Sequence, residues 1–334
     1  MSVVQDPDSY PPIGDYALIG DGRSAALVSR DGSLDWLCWP RFDSPSIFAA
    51  LLDRERGGRF CVRPVSPFRS ERRYLPDSNV LETIFHTADG AVALRDLMPV
   101  ATEEEKRIAL RPEHELLREV EGQHGEVAVE VVYAPRPDYG AIPPVLRQRG
   151  PFGIQCGTDG AVVSLWSELP LEVAADRRSA HGTARICAGD RNYLSLTYSA
   201  EAPGVIPLLG QAARDRVVRT ERWWQDWAGR CIYQGPYRDA VVRSALALKL
   251  MTYAPSGAII AAPTTSLPEK LGGSRNWDYR YCWLRDAAFT LRALFDLGYR
   301  EEGNAFLNWM LHATRLTWPE LQVLYNVFCE ARLP

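Results

Sequence analysis

The sequence predicts a β + α multidomain protein: an antiparallel β-sandwich followed by an all-helical part. Three observations predict it. Short extended runs separated by turn dipeptides fill roughly residues 14–200. Helical periodicity replaces them from about residue 205. The chain of 334 residues has room for two ordinary domains, and its 46% apolar and 24% charged content is that of globular proteins.

The elements follow in order. In "AALVSRDGSLDWLCWP" (25–40) two extended runs flank Asp31-Gly32, a hairpin signal because Gly accepts positive φ. "SPSIFAALL" reads as a short helix with Ser44 as N-cap and Pro45 at its first position. "NVLETIFHT" and "AVALRDLMPV" flank Asp89-Gly90. "LLREV" and "EVAVEVVY" flank "EGQHG", "GIQC" and "AVVSLW" flank "GTDG", and "GTARICA" and "NYLSLTYS" flank "GDR". Each is expected to be a hairpin. "QAARDRVVRTERWWQDWAGR" then reads as a linker helix ending at Gly229. "YRDAVVRSALALKLMTY" (237–253) is a helix with Val241, Ala245, Leu248 and Met251 at helical spacing. A Pro- and Gly-broken loop leads to helices over "DAAFTLRALFDLG" and "EEGNAFLNWMLHATRL", and "LQVLYNVF" starts another element. The expected divisions are 1–204 (β domain), 205–236 (linker helix) and 237–334 (helical domain).

Composition excludes several functions. A net charge of −4 and a pI near 5.8 argue against nucleic acid or an anionic membrane as partner. The first sixteen residues lack the basic and apolar regions of a signal peptide, and no apolar run is long enough to span a membrane. Seven scattered cysteines without a CxxC pair suit a reduced, cytoplasmic protein with buried thiols. No P-loop, GxGxxG, HExxH, EF-hand or GxSxG motif occurs, and the five histidines lack metal-ligand spacing. Phosphoryl transfer, hydride transfer and serine hydrolysis therefore lack support, and no metal site is expected.

Residues 275–290, "RNWDYRYCWLRDAAFT", mix large rings with fixed charges. Buried charge needs a partner, so this is poor core material. A neutral polyhydroxylated ring has flat C–H faces that pack on Trp or Tyr, and hydroxyls that both donate and accept hydrogen bonds. Arg285-Asp286, at a helix start where the dipole favours the carboxylate, could grip two neighbouring hydroxyls. The alternative is a helix entrance with an internal salt bridge and ordinary aromatic packing. A structural ion pair would equally explain Asp278 and Arg280. The front stretch "DWLCWPRFDSP" has two readings as well: core and interdomain packing, or Trp39, Arg41 and Asp43 reaching across to shape a substrate mouth.

"GAIIAAPTTSLPE" followed by "RNWDYRYCWLRDAAFTL" resembles the start of the catalytic domain of glycoside hydrolase family 15, and residues 14–53 resemble the trehalase-like N-terminal domain of its bacterial members. The resemblance runs from about Ile13 to Tyr325. It implies a β-sandwich followed by an (α/α)6 toroid with the active site at its mouth. It implies that Arg285 and Asp286 hold hydroxyls of the terminal glucose, that Tyr279, Tyr281 and Trp283 line the pocket, and that no cofactor is needed. The family cleaves terminal α-glucosidic bonds of α-glucosides or oligosaccharides with inversion, using two glutamates that lie well downstream of this motif. The toroid therefore reads as incomplete and the chain as truncated before its catalytic residues, with Glu269 as a loop-fixing residue. Phe289, Leu291, Leu294 and Phe306 are expected to lack partners, favouring self-association. The rival readings are a non-catalytic sugar-binding or inactive fragment and a glycosyl phosphorylase.

Overall fold

The computed structural model describes residues 10–102, 104–105, 111–112, 114–200 and 206–330. The expected boundary at 204/205, the start of the N-terminal run and the last four residues lie outside them. The described strands of the front are, in chain order, β1 (Tyr16–Gly20), β2 (Ala25–Ser29), β3 (Ser33–Cys38), β4 (Ser46–Phe48), β5 (Arg59–Pro64), β6 (Arg69–Tyr74), β7 (Leu81–His86), β8 (Gly90–Leu97) and β9 (His114–Ala134). They continue with β10 (Leu146–Gln148), β11 (Ile154–Gly157), β12 (Val162–Ser167), β13 (Glu172–Val173), β14 (Ala180–Cys187) and β15 (Arg191–Ser199). All join one large antiparallel sheet system.

Its spine is β9, and here the structure corrects the sequence reading. "EGQHG" is not a turn; β9 runs through it as one strand of 21 residues. The first half of β9 pairs with β8 and β15, and the second half with β5 and β14. Continuing extended gives both edges of both halves a ladder, which a hairpin would forfeit. The polar run marks instead the passage between the two halves, where the register against β8 slips. Glycine is required there: a Cβ on Gly122 would lie 2.0 Å from the Cys187 carbonyl oxygen, and Gly125 has φ +67°. "GDR" is a turn but not a hairpin, because β14 and β15 pair with opposite halves of β9 rather than with each other. The hairpins at Asp31-Gly32, Asp89-Gly90 and "GTDG" form as expected.

The two halves enclose one apolar core. Ile19, Val28, Phe60 and Val129 from one side join Phe85, Leu94, Leu165 and Leu196 from the other. Each such side chain contributes about 1.5–3 kcal/mol by leaving water. Arg118, fully buried on β9, ties the halves together. It binds Asp96 of β8 at 2.7 Å and donates to the carbonyls of Phe60 (2.6 Å) and Gly32 (2.8 Å), so its charge is compensated where water is absent.

The helix expected over "SPSIFAALL" does not form. Ser46–Phe48 pairs with β3 and is wholly buried, and the Ser44 hydroxyl accepts from the Arg41 amide rather than capping a helix. Burial against the sheet overrides the local signal.

Four helices follow among the described residues: α1 (Gln211–Ala228), α2 (Arg238–Leu250), α3 (Leu284–Asp296) and α4 (Arg300–Thr317). The start of α1 packs Ala213 and Val217 on Leu97, Leu117 and Tyr193 of the sheet, and its end packs Trp224 and Trp227 on α2. The buried stripe of α2 is Val242, Ala245, Leu246 and Leu250, one residue round from the face first read, because its neighbours lie on that side. Gly298, φ +94°, ends the turn after α3. The expectation that helix faces lack partners holds for Phe289, 73% exposed, but not for Leu294 or Phe306, which are fully buried, nor for the partly buried Leu291. Leu294 clusters with Trp224 and Trp227 of α1 and Leu246 and Leu250 of α2, and Phe306 with Ala287 of α3, Phe42 of the front and the loops. "LQVLYNVF" supplies β17 (Leu324–Tyr325), paired with β16 (Cys282–Trp283).

A second core joins front to back. Phe42, from the loop after β3, is buried with Tyr253, Ile259, Ile260, Cys282, Phe306, Trp309 and Tyr325. The segment 277–283 is thereby held against the β-rich front.

Candidate sugar-binding site

The segment 277–283 is laced in from two sides. Ser266, Ala262 and Ala261 donate their amides to the carbonyls of Trp277 (2.8 Å), Tyr279 (2.8 Å) and Tyr281 (3.1 Å). Beyond it, Cys282 and Trp283 pair with Tyr325 and Leu324. An irregular stretch is thus fixed by backbone bonds at almost every second residue, which orders its rings without help from a ligand.

The rings stand edge to face. Tyr279 lies 5.7 Å from Trp283 at 85°, and Trp277 lies 6.2 Å from Trp283 at 77°. The Trp283 indole nitrogen donates to the Asp278 carbonyl at 2.8 Å, so the ring cannot turn away. Trp277 is 42% exposed, which leaves ring surface open to solvent. Its own indole nitrogen donates to Glu269 at 3.1 Å, and Arg275 pairs with the same carboxylate at 3.2 Å. Glu269 fixes the loop, as its sequence position suggested.

At the start of α3 the Arg285 guanidinium pairs with Asp286 at 3.0 Å. Both side chains reach solvent, at 65% and 36% exposure, and Arg285 sits 5.8 Å over the Trp283 ring. Asp286 occupies the first helical turn, where the dipole favours its charge. A charged donor and a charged acceptor therefore stand side by side beside an aromatic wall. This arrangement can take two adjacent hydroxyls of a ring lying on that wall.

Asp278 and Arg280 do something else. Arg280 is buried and binds the Asp278 carboxylate at 2.7 Å. Its remaining amino group donates to the Ser44 carbonyl at 3.0 Å and the Tyr139 hydroxyl at 2.7 Å, with the Cys38 sulfur at 3.5 Å. Burial opposes its charge, but the bonds to Asp278 win and raise its pKa. Burial first, and then Cys38, pushes the Tyr139 hydroxyl up to about 12. This pair is a structural clamp between the back segment and the front, the ion-pair reading first given for it.

The sequence-predicted residues thus divide. Tyr279, Trp283, Arg285 and Asp286 come together. Tyr281 is half-buried, and its hydroxyl pKa is raised by burial and then by Asp278 and Asp43. Arg41 lies 5.1 Å over the Phe328 ring of the back part and binds Asp43 at 2.9 Å, and the Asp43 side chain is buried. Trp39 does not reach across. It is 2% exposed inside the front core, against Tyr198 and His114, because the sheet rather than the mouth takes its large apolar ring. Trp36 makes the crossing instead, donating to the Pro263 carbonyl at 2.9 Å. The reading of single residues missed Trp277, although it stands in the same ring-rich stretch, and missed Tyr139, for which the sequence carries no local signal.

Residues 235–327 match glycosyl hydrolases family 15, and residues 6–202 match the trehalase-like N-terminal family. A trehalase of Mycolicibacterium smegmatis is 34% identical, covering 97% of this chain and 51% of that protein. A trehalase of Thermoplasma volcanium is 34% identical, covering 90% of this chain and 47% of that protein. The chain spans about half the length of the curated relatives it matches. A solved structure titled putative kojibiose phosphorylase aligns with 90% of this chain and 42% of its own, at 8% identity and a TM-score of 0.42, too distant to bear on function.

Proposed function

The chain belongs to glycosyl hydrolases family 15 and carries the trehalase-like N-terminal domain, and from that membership we propose that its back part grips the terminal glucose of an α-glucoside, trehalose first. One observation carries the reading: Arg285 and Asp286, paired at 3.0 Å and open to solvent, stand beside the wall made by Trp277, Tyr279 and Trp283. Arg285 donates to one hydroxyl and Asp286 accepts from its neighbour, while a C–H face lies on the rings. Tyr281 of the back segment, with Arg41 and Asp43 of the front, is assigned to the border of the same site.

The whole reaction in this reading is inverting hydrolysis, in which one carboxyl protonates the leaving oxygen and another activates water. Each of the carboxylates nearest the site in sequence is paired with an arginine: Glu269 with Arg275, and also bonded by Trp277, Asp278 with Arg280, and Asp286 with Arg285 as part of the grip. The share of this chain is therefore binding. Helices α2–α4 are its part of an (α/α)6 toroid, with residues 1–204 and 205–236 as the trehalase-like domain and its linker. No helix among the described residues is long and apolar enough to cross a membrane. The seven cysteines are free thiols, six of them buried, which fits a cytoplasmic setting.

Titration calorimetry with trehalose, maltose and glucose tests the reading. Trehalose is expected to bind, and Arg285→Ala or Asp286→Ala to weaken binding at this site roughly ten- to a hundredfold. Glucose released from trehalose by this chain would overturn the assignment of binding alone. Sedimentation of the chain against Phe289→Ser tests self-association; an unchanged monomer in both would remove that proposal.

A further inference from the structure

We propose a second carbohydrate site on the front part, in the hollow beside Tyr139, for a glucosyl unit of the same class of α-glucosides; this rests on the reading of the chain as an α-glucoside binder. The hollow is an open one of about 520 Å³, lined among others by Glu55, Arg56, Arg136, Asp138, Tyr139 and Arg178. That volume lies within the range of small-molecule pockets.

The wall is built, not accidental. Tyr139 is 39% exposed, so ring surface faces solvent while its hydroxyl is fixed by Arg280 at 2.7 Å. Trp36 backs it at 6.4 Å. Asp138 and Tyr139 both have positive φ, 52° and 54°, which non-glycine residues rarely adopt. Such a backbone persists only where its surroundings impose it. Here the Tyr139 amide donates to the Ser46 hydroxyl at 3.1 Å, and Gly140 and Ala141 close turns onto Arg136 (3.2 Å) and Asp138 (2.8 Å). The Arg136 guanidinium donates to the carbonyls of Pro135 and Arg178, each at 2.8 Å, and so fixes the far side. Glu55 and Asp138 form no ion pair among the described residues. A ring platform, two available carboxylate acceptors and the Arg56 and Arg178 donors form the set a neutral polyhydroxylated ring requires, here reproduced on the front part.

Three hydrogen bonds connect this hollow to the first site. Tyr139 holds Arg280, Arg280 holds Asp278, and the Asp278 carbonyl holds Trp283.

Calorimetry and saturation-transfer NMR with trehalose and maltotriose test the proposal on this chain. Two sites are expected in the native protein. Tyr139→Ala is expected to weaken one of them at least tenfold and leave the other. Tyr139→Phe keeps the platform and is expected to weaken it less than about threefold. Arg285→Ala is expected to remove only the other site. Sugar binding unchanged in Tyr139→Ala but lost in Arg285→Ala would overturn this site and leave the proposed function standing. Binding of inorganic phosphate in the hollow without any sugar binding there would overturn it too. Loss of all binding only in Tyr139→Ala would overturn the Arg285-Asp286 reading instead.

Discussion

Two arginine–aspartate pairs stand within nine residues of each other and have opposite uses. Asp278–Arg280 is drawn under the front sheet, where Ser44, Cys38 and Tyr139 take up what the carboxylate leaves. Arg285–Asp286 stands at the entrance of α3 with its polar atoms open to solvent. The chemistry of the two pairs is the same; the number of partners supplied by the rest of the chain differs. A pair whose hydrogen-bonding capacity is filled by protein holds domains together. A pair whose capacity is left to water can exchange that water for a ligand.

Removing one partner of the clamp gives the largest expected effect. Arg280→Ala leaves the half-buried Asp278, the buried Ser44 carbonyl and the part-buried Tyr139 hydroxyl without their donor and is expected to lower unfolding stability by about 3 kcal/mol in urea titration. Arg280→Lys is expected to rescue little, because one ammonium cannot fork to Asp278 while also reaching Ser44 and Tyr139. A loss below about 1 kcal/mol would reduce the clamp to an ordinary surface pair.

The same substitution in the other pair is expected to invert the outcome. Arg285→Ala removes an exposed bridge and should change stability by under about 1 kcal/mol. Trehalose affinity, read by calorimetry, should fall by about 1.5–3 kcal/mol, roughly ten- to a hundredfold. Equal stability losses for Arg280→Ala and Arg285→Ala would erase the distinction between the pairs.

Much of this division was legible in the sequence. An Arg-Asp neighbour pair at a helix start reads as an exposed pair, whether a grip or a surface salt bridge, and an Asp-x-Arg pair flanked by Tyr and Cys is compatible with a structural tie. The hairpins at Asp31-Gly32 and Asp89-Gly90 were legible because a turn there is local chemistry. "EGQHG" was misleading because its extension is decided by β5, β8, β14 and β15, which come from elsewhere in the chain. Trp39 was misleading because a Trp signals only a large apolar ring, and tertiary packing decides which side of the loop takes it. Tyr139 was invisible because the residue that fixes it is 141 positions away.

The clamp also predicts a pH dependence. Burial pushes the Cys38 thiol up to about 11 from an ordinary value of 9.0, against a smaller opposing pull from Arg280. Below pH 9 the thiol is protonated in both folded and unfolded chains, and its contribution to stability is complete. As pH rises towards 11 the unfolded chain releases the proton and the folded one does not, so stability falls. The loss from this group at pH 10 is about 1.4 kcal/mol. Urea midpoints measured from pH 8 to 10 should therefore fall less steeply in Cys38→Ala than in the native chain. Parallel slopes would mean that the thiol is not sealed behind Arg280.

Trp283 belongs to both regions, and its substitution gives the smallest and most discriminating effect. Its indole nitrogen donates to the Asp278 carbonyl, on the clamp side, while its ring lies under Arg285, on the grip side. Trp283→Phe keeps an aromatic face and removes the donor. The lost hydrogen bond is expected to lower stability by about 0.5–1.5 kcal/mol. Trehalose affinity should fall only a few-fold, since a platform remains for the sugar and for the guanidinium. If affinity falls as far as in Arg285→Ala while stability holds, the indole itself must contact the ligand, and the wall acts as more than a support for the charged pair. If stability falls and affinity does not, Trp283 serves the clamp, and the grip reduces to Arg285 and Asp286 with Tyr279 and Trp277 behind them.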